Sequence, residues 1–203
     1  LQALQRLRQQ GMTGERAKRR SKRQSLAGLP ANWRIDLCKR AVGGRYLFSL
    51  IVLALTGCRP SELVHGIDIW RGKDEVTGKL LIHLRIRGAK VKDSQGQPLR
   101  TISYDTNDPH PLVDVVNELL DTQSEPRVFA QVRSAVNLTV EIRRLARSLW
   151  PKHKQPITAY CFRHQFAADL KANGDDEATS RGLGHISAET RRLYGTAGQA
   201  SKG

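Results

Sequence analysis

Five short patterns hold the side chains best able to do chemistry in this chain. Thr56-Gly57-Cys58-Arg59-Pro60-Ser61-Glu62-Leu63 places an arginine just after a helix C-terminus, with a glutamate three residues on. That spacing can bring the carboxylate onto the guanidinium and fix its planar fork. Arg87-Gly88-Ala89-Lys90-Val91-Lys92 sets two lysines between expected strands, and Thr158-Ala159-Tyr160-Cys161-Phe162-Arg163-His164-Gln165-Phe166-Ala167 opens a helix. Gly182-Leu183-Gly184-His185-Ile186-Ser187 and Thr190-Arg191-Arg192-Leu193-Tyr194-Gly195 complete the set. Singly, each has an ordinary reading: an Arg–Glu pair is usually a structural salt bridge, and a turn lysine usually faces solvent. No carboxylate cluster suited to a two-metal centre occurs in the sequence. Chemistry here would fall to guanidinium, ammonium, imidazole and phenol groups.

Positioning these groups requires a scaffold, and the patterning supplies one. The 203 residues fit one domain with an appendage. Asn32 is a plausible N-cap for a helical stretch over 33–55, broken at Gly43-Gly44 and stopped by Gly57 and Pro60. A short helical turn at 61–64 follows. The segments 67–70, 80–86 and 99–104 read as strands punctuated by Gly72, Gly78, Gly88 and Gly96. Beyond Pro111, helices are expected at 112–121, 131–149, 158–172, 175–183 and 187–194. The expected class is mainly α with a small three-stranded antiparallel β-sheet. Trp70 and Trp150 read as core residues, and His65, His83, His110 and His153 as surface or structural. His164 and Phe166 are expected to pack or brace.

Composition narrows the partner. Lys and Arg outnumber Asp and Glu by 34 to 19, for a formal charge of +15 and a pI near 10.4. Such a balance points to a polyanion, most often nucleic acid. Eight basic residues and one acid lie between Arg6 and Arg23, about half of the net charge. Residues 1–30 therefore read as a solvated basic arm or interdomain linker able to lie on phosphates, with Arg16, Lys18, Arg19, Arg20, Lys22 and Arg23 as candidate DNA contacts. Three cysteines without close pairing argue against a disulfide framework or a zinc site and read as core residues in a reducing compartment. No run approaches the roughly 20 apolar residues of a membrane span, and no secretory signal is apparent at the N-terminus. A start at Leu1 rather than Met reads as a piece of a longer protein. The expected location is cytoplasmic and DNA-associated, in a prokaryote, phage or mobile element.

From Trp33 to Tyr194 the chain resembles the catalytic domain of the tyrosine recombinase (phage integrase) family. All five patterns occur in the family's order, with 22 residues from Arg163 to His185 and nine from His185 to Tyr194. The resemblance implies that 31–203 form the recombinase catalytic domain, with the usual upstream DNA-clamping domain absent from this piece. It implies that Arg59 and Arg163 clamp the scissile phosphate, with Glu62 steadying Arg59. Lys90 matches the lysine of the β2–β3 turn, His185 the second histidine, and Tyr194 the nucleophile. The family's usual histidine three residues before the second arginine is Tyr160 here, which leaves that group's contribution open. Lys92, Arg191 and Arg192 are further candidate DNA contacts, with simple solvation of Arg191 and Arg192 as the alternative.

This set suits phosphoryl transfer to an oxygen. The reacting phosphodiester gains charge on its non-bridging oxygens, which two forked guanidiniums answer with directed hydrogen bonds. A phenol with an ordinary pKa near 10 needs a proton acceptor and an electropositive setting to attack. The departing 5′ oxygen needs a proton, for which the resemblance nominates Lys90. Storing the bond energy in a 3′-phosphotyrosyl link lets a new 5′-hydroxyl reverse the step without ATP or a metal cofactor. The reading is a recombinase for integration, excision or resolution on duplex DNA with a specific site. The resemblance implies four protomers around two duplexes, although this piece alone could be a monomer. The alternatives are a type IB topoisomerase or telomere resolvase, and a DNA-binding module that has lost catalysis.

Overall fold

The computed structural model describes residues 22–89, 97–172 and 183. Helices α1 (Trp33–Arg40) and α2 (Leu47–Thr56) are separated as the glycine pair predicts, with Gly43 at φ 79°. Asn32 occupies the N-cap of α1 but makes no capping hydrogen bond with its side chain. Leu50 to Leu55 of α2 are all buried, because this apolar helix is covered on every side. The short α3 (Pro60–His65) follows at once, with proline in its first turn where a missing N–H costs nothing.

Strands β1 (Ile67–Lys73), β2 (Leu80–Arg87) and β3 (Leu99–Asp105) form at the expected positions. The sheet has four strands rather than three, in the order β3-β2-β1-β4 and antiparallel throughout. The additional β4 (Arg127–Ala130) pairs Ala130 with Ile67 and Val128 with Ile69. Four residues are too few to display an alternation, and this strand draws its stability from the open edge of β1. Residues of one parity, including Ile67, Ile69, Ile82, Leu84 and Ile86, enter the core. Trp70 has the other parity and is a correction to its expected core placement. It lies half-buried on the outer face, stacked on His83 at 5.0 Å, with the Arg85 guanidinium 5.1 Å from its ring. Trp150 packs against the core, partly buried.

Three longer helices complete the body: α4 (Pro111–Asp121), α5 (Ala135–Leu149) and α6 (Ala159–Ala172). α5 starts at Ala135 rather than 131, because the Ser134 hydroxyl accepts from the Asn137 N–H and caps it. His110 caps α4 through the Leu112 N–H, His83 bonds Ser103, and His153 bonds the Ser25 carbonyl, while His65 is exposed. Helices expected at 175–183 and 187–194 lie outside the described residues, Leu183 excepted.

The core joins both ends of the described chain. Trp33 meets Phe162 edge-on at 4.7 Å and donates to Gln165, docking α1 against α6. Arg34 adds an ion pair to Asp169 and a hydrogen bond to the Ala54 carbonyl. The 3₁₀ turn Lys22–Leu26 buries Ser25 and Leu26, so the solvated character expected of residues 1–30 does not extend to these two. A leucine in a charge-rich stretch still contributes apolar area when a helix surface lies beside it. No helix among the described residues is long and apolar enough to cross a membrane.

Candidate active site

Gly57 is where the site begins. It ends α2 in the left-handed conformation, φ 54°. A Cβ here would lie 2.7 Å from the Phe166 Cβ, so the missing side chain also permits close approach of α6. The chain then extends through Cys58 to Arg59, which is the N-cap residue of α3 at φ −74° and ψ 147°. Glu62, at the third position of α3, turns back to accept from the Arg59 backbone N–H at 2.7 Å, one half of a capping box. The same carboxylate accepts from Arg59 Nη1 at 2.9 Å. The pairing read from the spacing of these two residues is present.

A third residue joins them that the motifs do not announce. Arg100, on the inward face of β3, donates from Nη1 to Glu62 Oε1 at 3.1 Å and from Nη2 to Oε2 at 2.8 Å. Arg100 is buried, and Glu62 is fully so. Burial opposes ionisation of Glu62, but hydrogen bonding and charge from Arg100, the Arg59 N–H and the charge of Arg163 outweigh it and hold the carboxyl at about 2. One sequence signal could have found Arg100: it shares strand parity with Ile102 and Tyr104, so it is an arginine in an apolar register.

Arg163 is fully buried on α6. Its Nη1 donates to the Gly57 carbonyl at 3.0 Å and its Nη2 to the Leu183 carbonyl at 2.5 Å. Gly57 lies two residues before Arg59, and Leu183 two residues before His185. One guanidinium therefore ties together three of the five patterns. His164 and Phe166 are buried beside it, as expected of bracing residues. Tyr160, at the start of α6, is 39% exposed. Cys58 and Cys38 are buried, and burial pushes both thiols up to about 12; Cys161 is buried too.

Arg59, Glu62 and Arg163 are thus brought together, with Arg100 added. Lys90, Lys92, His185, Arg191, Arg192 and Tyr194 lie outside the described residues, as do Arg16, Lys18, Arg19 and Arg20 of the arm. Lys22 and Arg23 belong to the 3₁₀ turn. In the described arrangement Arg59 and Arg100 both bond one buried carboxylate, and the Arg163 charge lies close enough to favour its ionised form.

The helices and the antiparallel sheet together have the fold of a tyrosine-recombinase catalytic domain. Among solved structures the chain is similar to XerA recombinase, at 20% identity over 82% of this chain and 58% of that one, with a TM-score of 0.55. It is also similar to XerH site-specific recombinase bound to palindromic difH substrate in a post-cleavage complex, at 16% identity, 82% and 48% coverage and a TM-score of 0.53. A pre-cleavage complex of XerH with difH gives 14% identity, 82% and 49% coverage and a TM-score of 0.55. At these identities the likeness is one of fold, and the chain spans 58% or less of each of these proteins. No family model and no curated protein matches the chain by sequence.

Proposed function

We propose that this chain is the catalytic part of a site-specific DNA recombinase that cuts and rejoins duplex DNA through a 3′-phosphotyrosyl link. The observation that carries the reading is the Arg163 guanidinium, held between the Gly57 and Leu183 carbonyls, which stand two residues before Arg59 and two before His185 in the sequence. A fold shared with XerA and with XerH, the latter bound to its difH substrate, supports it.

In this reading Arg59 and Arg163 hold the non-bridging oxygens of the scissile phosphate and answer the charge that grows there. The Tyr194 oxygen attacks phosphorus, its proton passing to an acceptor in the site, and the bond to the 5′ oxygen breaks. Lys90 supplies the proton that this oxygen takes up, and His185 assists at the phosphate. Tyr160 donates one hydrogen bond there in place of an imidazole, since a phenol carries no positive charge near neutral pH. Attack by a 5′-hydroxyl from another strand reverses the sequence and releases Tyr194. Four protomers on two copies of a specific site complete the exchange, serving integration, excision or resolution.

The test uses a pool of nicked random-sequence duplexes, in which the short strand beyond the nick diffuses away after cleavage and traps the adduct. The expected result is a protein–DNA species stable to denaturing electrophoresis, absent in Tyr194→Phe, with DNA affinity unchanged within about twofold. Sequencing the captured DNA then gives the site. An adduct that persists in Tyr194→Phe moves the chemistry to another residue. DNA binding without any adduct makes the chain a binding module, and capture without sequence preference favours a topoisomerase.

A further inference from the structure

Arg100 lies at a position that the hydrophobic pattern of β3 assigns to the core, directly across from Ile86. Burying a guanidinium there is costly unless a partner of opposite charge meets it with good geometry. Glu62, which already serves Arg59, meets it with two hydrogen bonds. An ionised carboxylate has about four acceptor positions. At Glu62 all are taken: Oε1 by Arg59 Nη1 and Arg100 Nη1, Oε2 by the Arg59 N–H and Arg100 Nη2.

This filling has a consequence for Arg59. A guanidinium beside a free carboxylate tends toward a two-bond fork, which engages two of its N–H groups at once. At Glu62 that fork is closed, because the second oxygen is occupied by the Arg59 backbone and by Arg100. Arg59 therefore makes one side-chain bond to Glu62, and its Nε and Nη2 make no hydrogen bond among the described residues.

We propose that Arg100 is a positioning residue for the phosphate site: it saturates Glu62 so that Arg59 is anchored by a single bond and keeps its remaining donors for an anion. The proposal rests on the recombinase reading for the identity of that anion, a DNA phosphodiester. Arg100 itself touches neither substrate nor reacting atoms in this scheme. Its action passes through the carboxylate to Arg59.

The experiment titrates inorganic phosphate into protein labelled with ¹⁵N-arginine and follows the Arg59 guanidinium signals, identified by their loss in Arg59→Lys. Phosphate is expected to shift these signals in the parent. In Arg100→Met, Glu62 is free to fork Arg59, and the shift should require about tenfold more phosphate, the low end for removal of a hydrogen bond to a charged group. Adding Glu62→Gln to Arg100→Met should restore phosphate binding to within about threefold of the parent, because an amide has one acceptor oxygen and cannot fork a guanidinium. A merely structural role for Arg100 predicts the opposite, further loss in the double variant. If Arg100→Met does not fold, Arg100→Lys keeps the charge without the planar fork and is compared with Arg100→Lys/Glu62→Gln for the same ordering. Phosphate binding unchanged in the single variant, or unrestored in the double, overturns the proposal. So does a parent in which phosphate leaves Arg59 unmoved. The Tyr194 adduct reports on the recombinase reading separately: an adduct with failed phosphate arms removes only the role of Arg100, and the reverse removes only the recombinase.

Discussion

Glu62 keeps its charge without any contact with water, and that has a measurable cost at low pH. In the unfolded chain its carboxyl titrates near the ordinary 4.5; in the folded chain burial opposes the charge but Arg100 and Arg59 hold it at about 2. A depressed folded value means that the stabilisation is complete above the unfolded value and is lost as pH falls toward 2. The difference corresponds to about 3 kcal/mol. Urea unfolding between pH 6 and 2 should therefore show a fall in stability that Glu62→Gln flattens, although the variant starts lower at pH 6. An equal slope in both proteins would place the acid sensitivity elsewhere. The Arg59–Glu62 pair could be read from spacing because an N-cap residue and the third helical position are always neighbours. Arg100 could not be read that way. Its partner is 38 residues distant in sequence, and only the sheet register turns it inward.

Among the elements, the junction of α2 with α3 has the least freedom. Gly57 must be left-handed, must admit Phe166 of α6, and must aim its carbonyl at Arg163. Gly57→Ala would force a Cβ to within 2.7 Å of the Phe166 Cβ while keeping φ positive. Strain at such a backbone position costs about 1–2 kcal/mol, and overpacking adds about 1–3 kcal/mol. A loss of about 2–5 kcal/mol in urea unfolding is expected. A variant within about 0.5 kcal/mol of the parent would show that α6 can retreat without cost. The helix breaks at Gly43-Gly44 and Gly57 were legible because glycine and proline act locally. β4 was not, since a four-residue strand depends on a partner edge rather than on its own pattern. The start of α5 was not, since the Ser134 hydroxyl rather than the apolar periodicity decides it.

For the molecule as a whole, charge is the property that reaches beyond its surface. About half of the +15 lies between Arg6 and Arg23, in the segment expected to follow the DNA backbone. Every phosphate that the protein ceases to neutralise should lower the slope of log affinity against log salt by about 0.9 on duplex DNA. Deleting residues 1–20 removes Arg16, Lys18, Arg19 and Arg20 but spares Ser25 and Leu26, which belong to the packed body. A slope lower by about 2–4 is expected in a binding series across salt concentrations. An unchanged slope would leave the arm without a role on DNA.

The burial of the three cysteines has a practical side. Cys38, Cys58 and Cys161 are all enclosed, and the first two titrate near 12. Alkylating and maleimide reagents act on the exposed thiolate, so the native protein offers them nothing at neutral pH. A single cysteine placed on the surface, for instance at the exposed Val76 in the β1–β2 turn, would then be the only group to take a dye or a cross-linker. The assembly on DNA proposed above could then be tested by distances between labels in the otherwise unaltered chain.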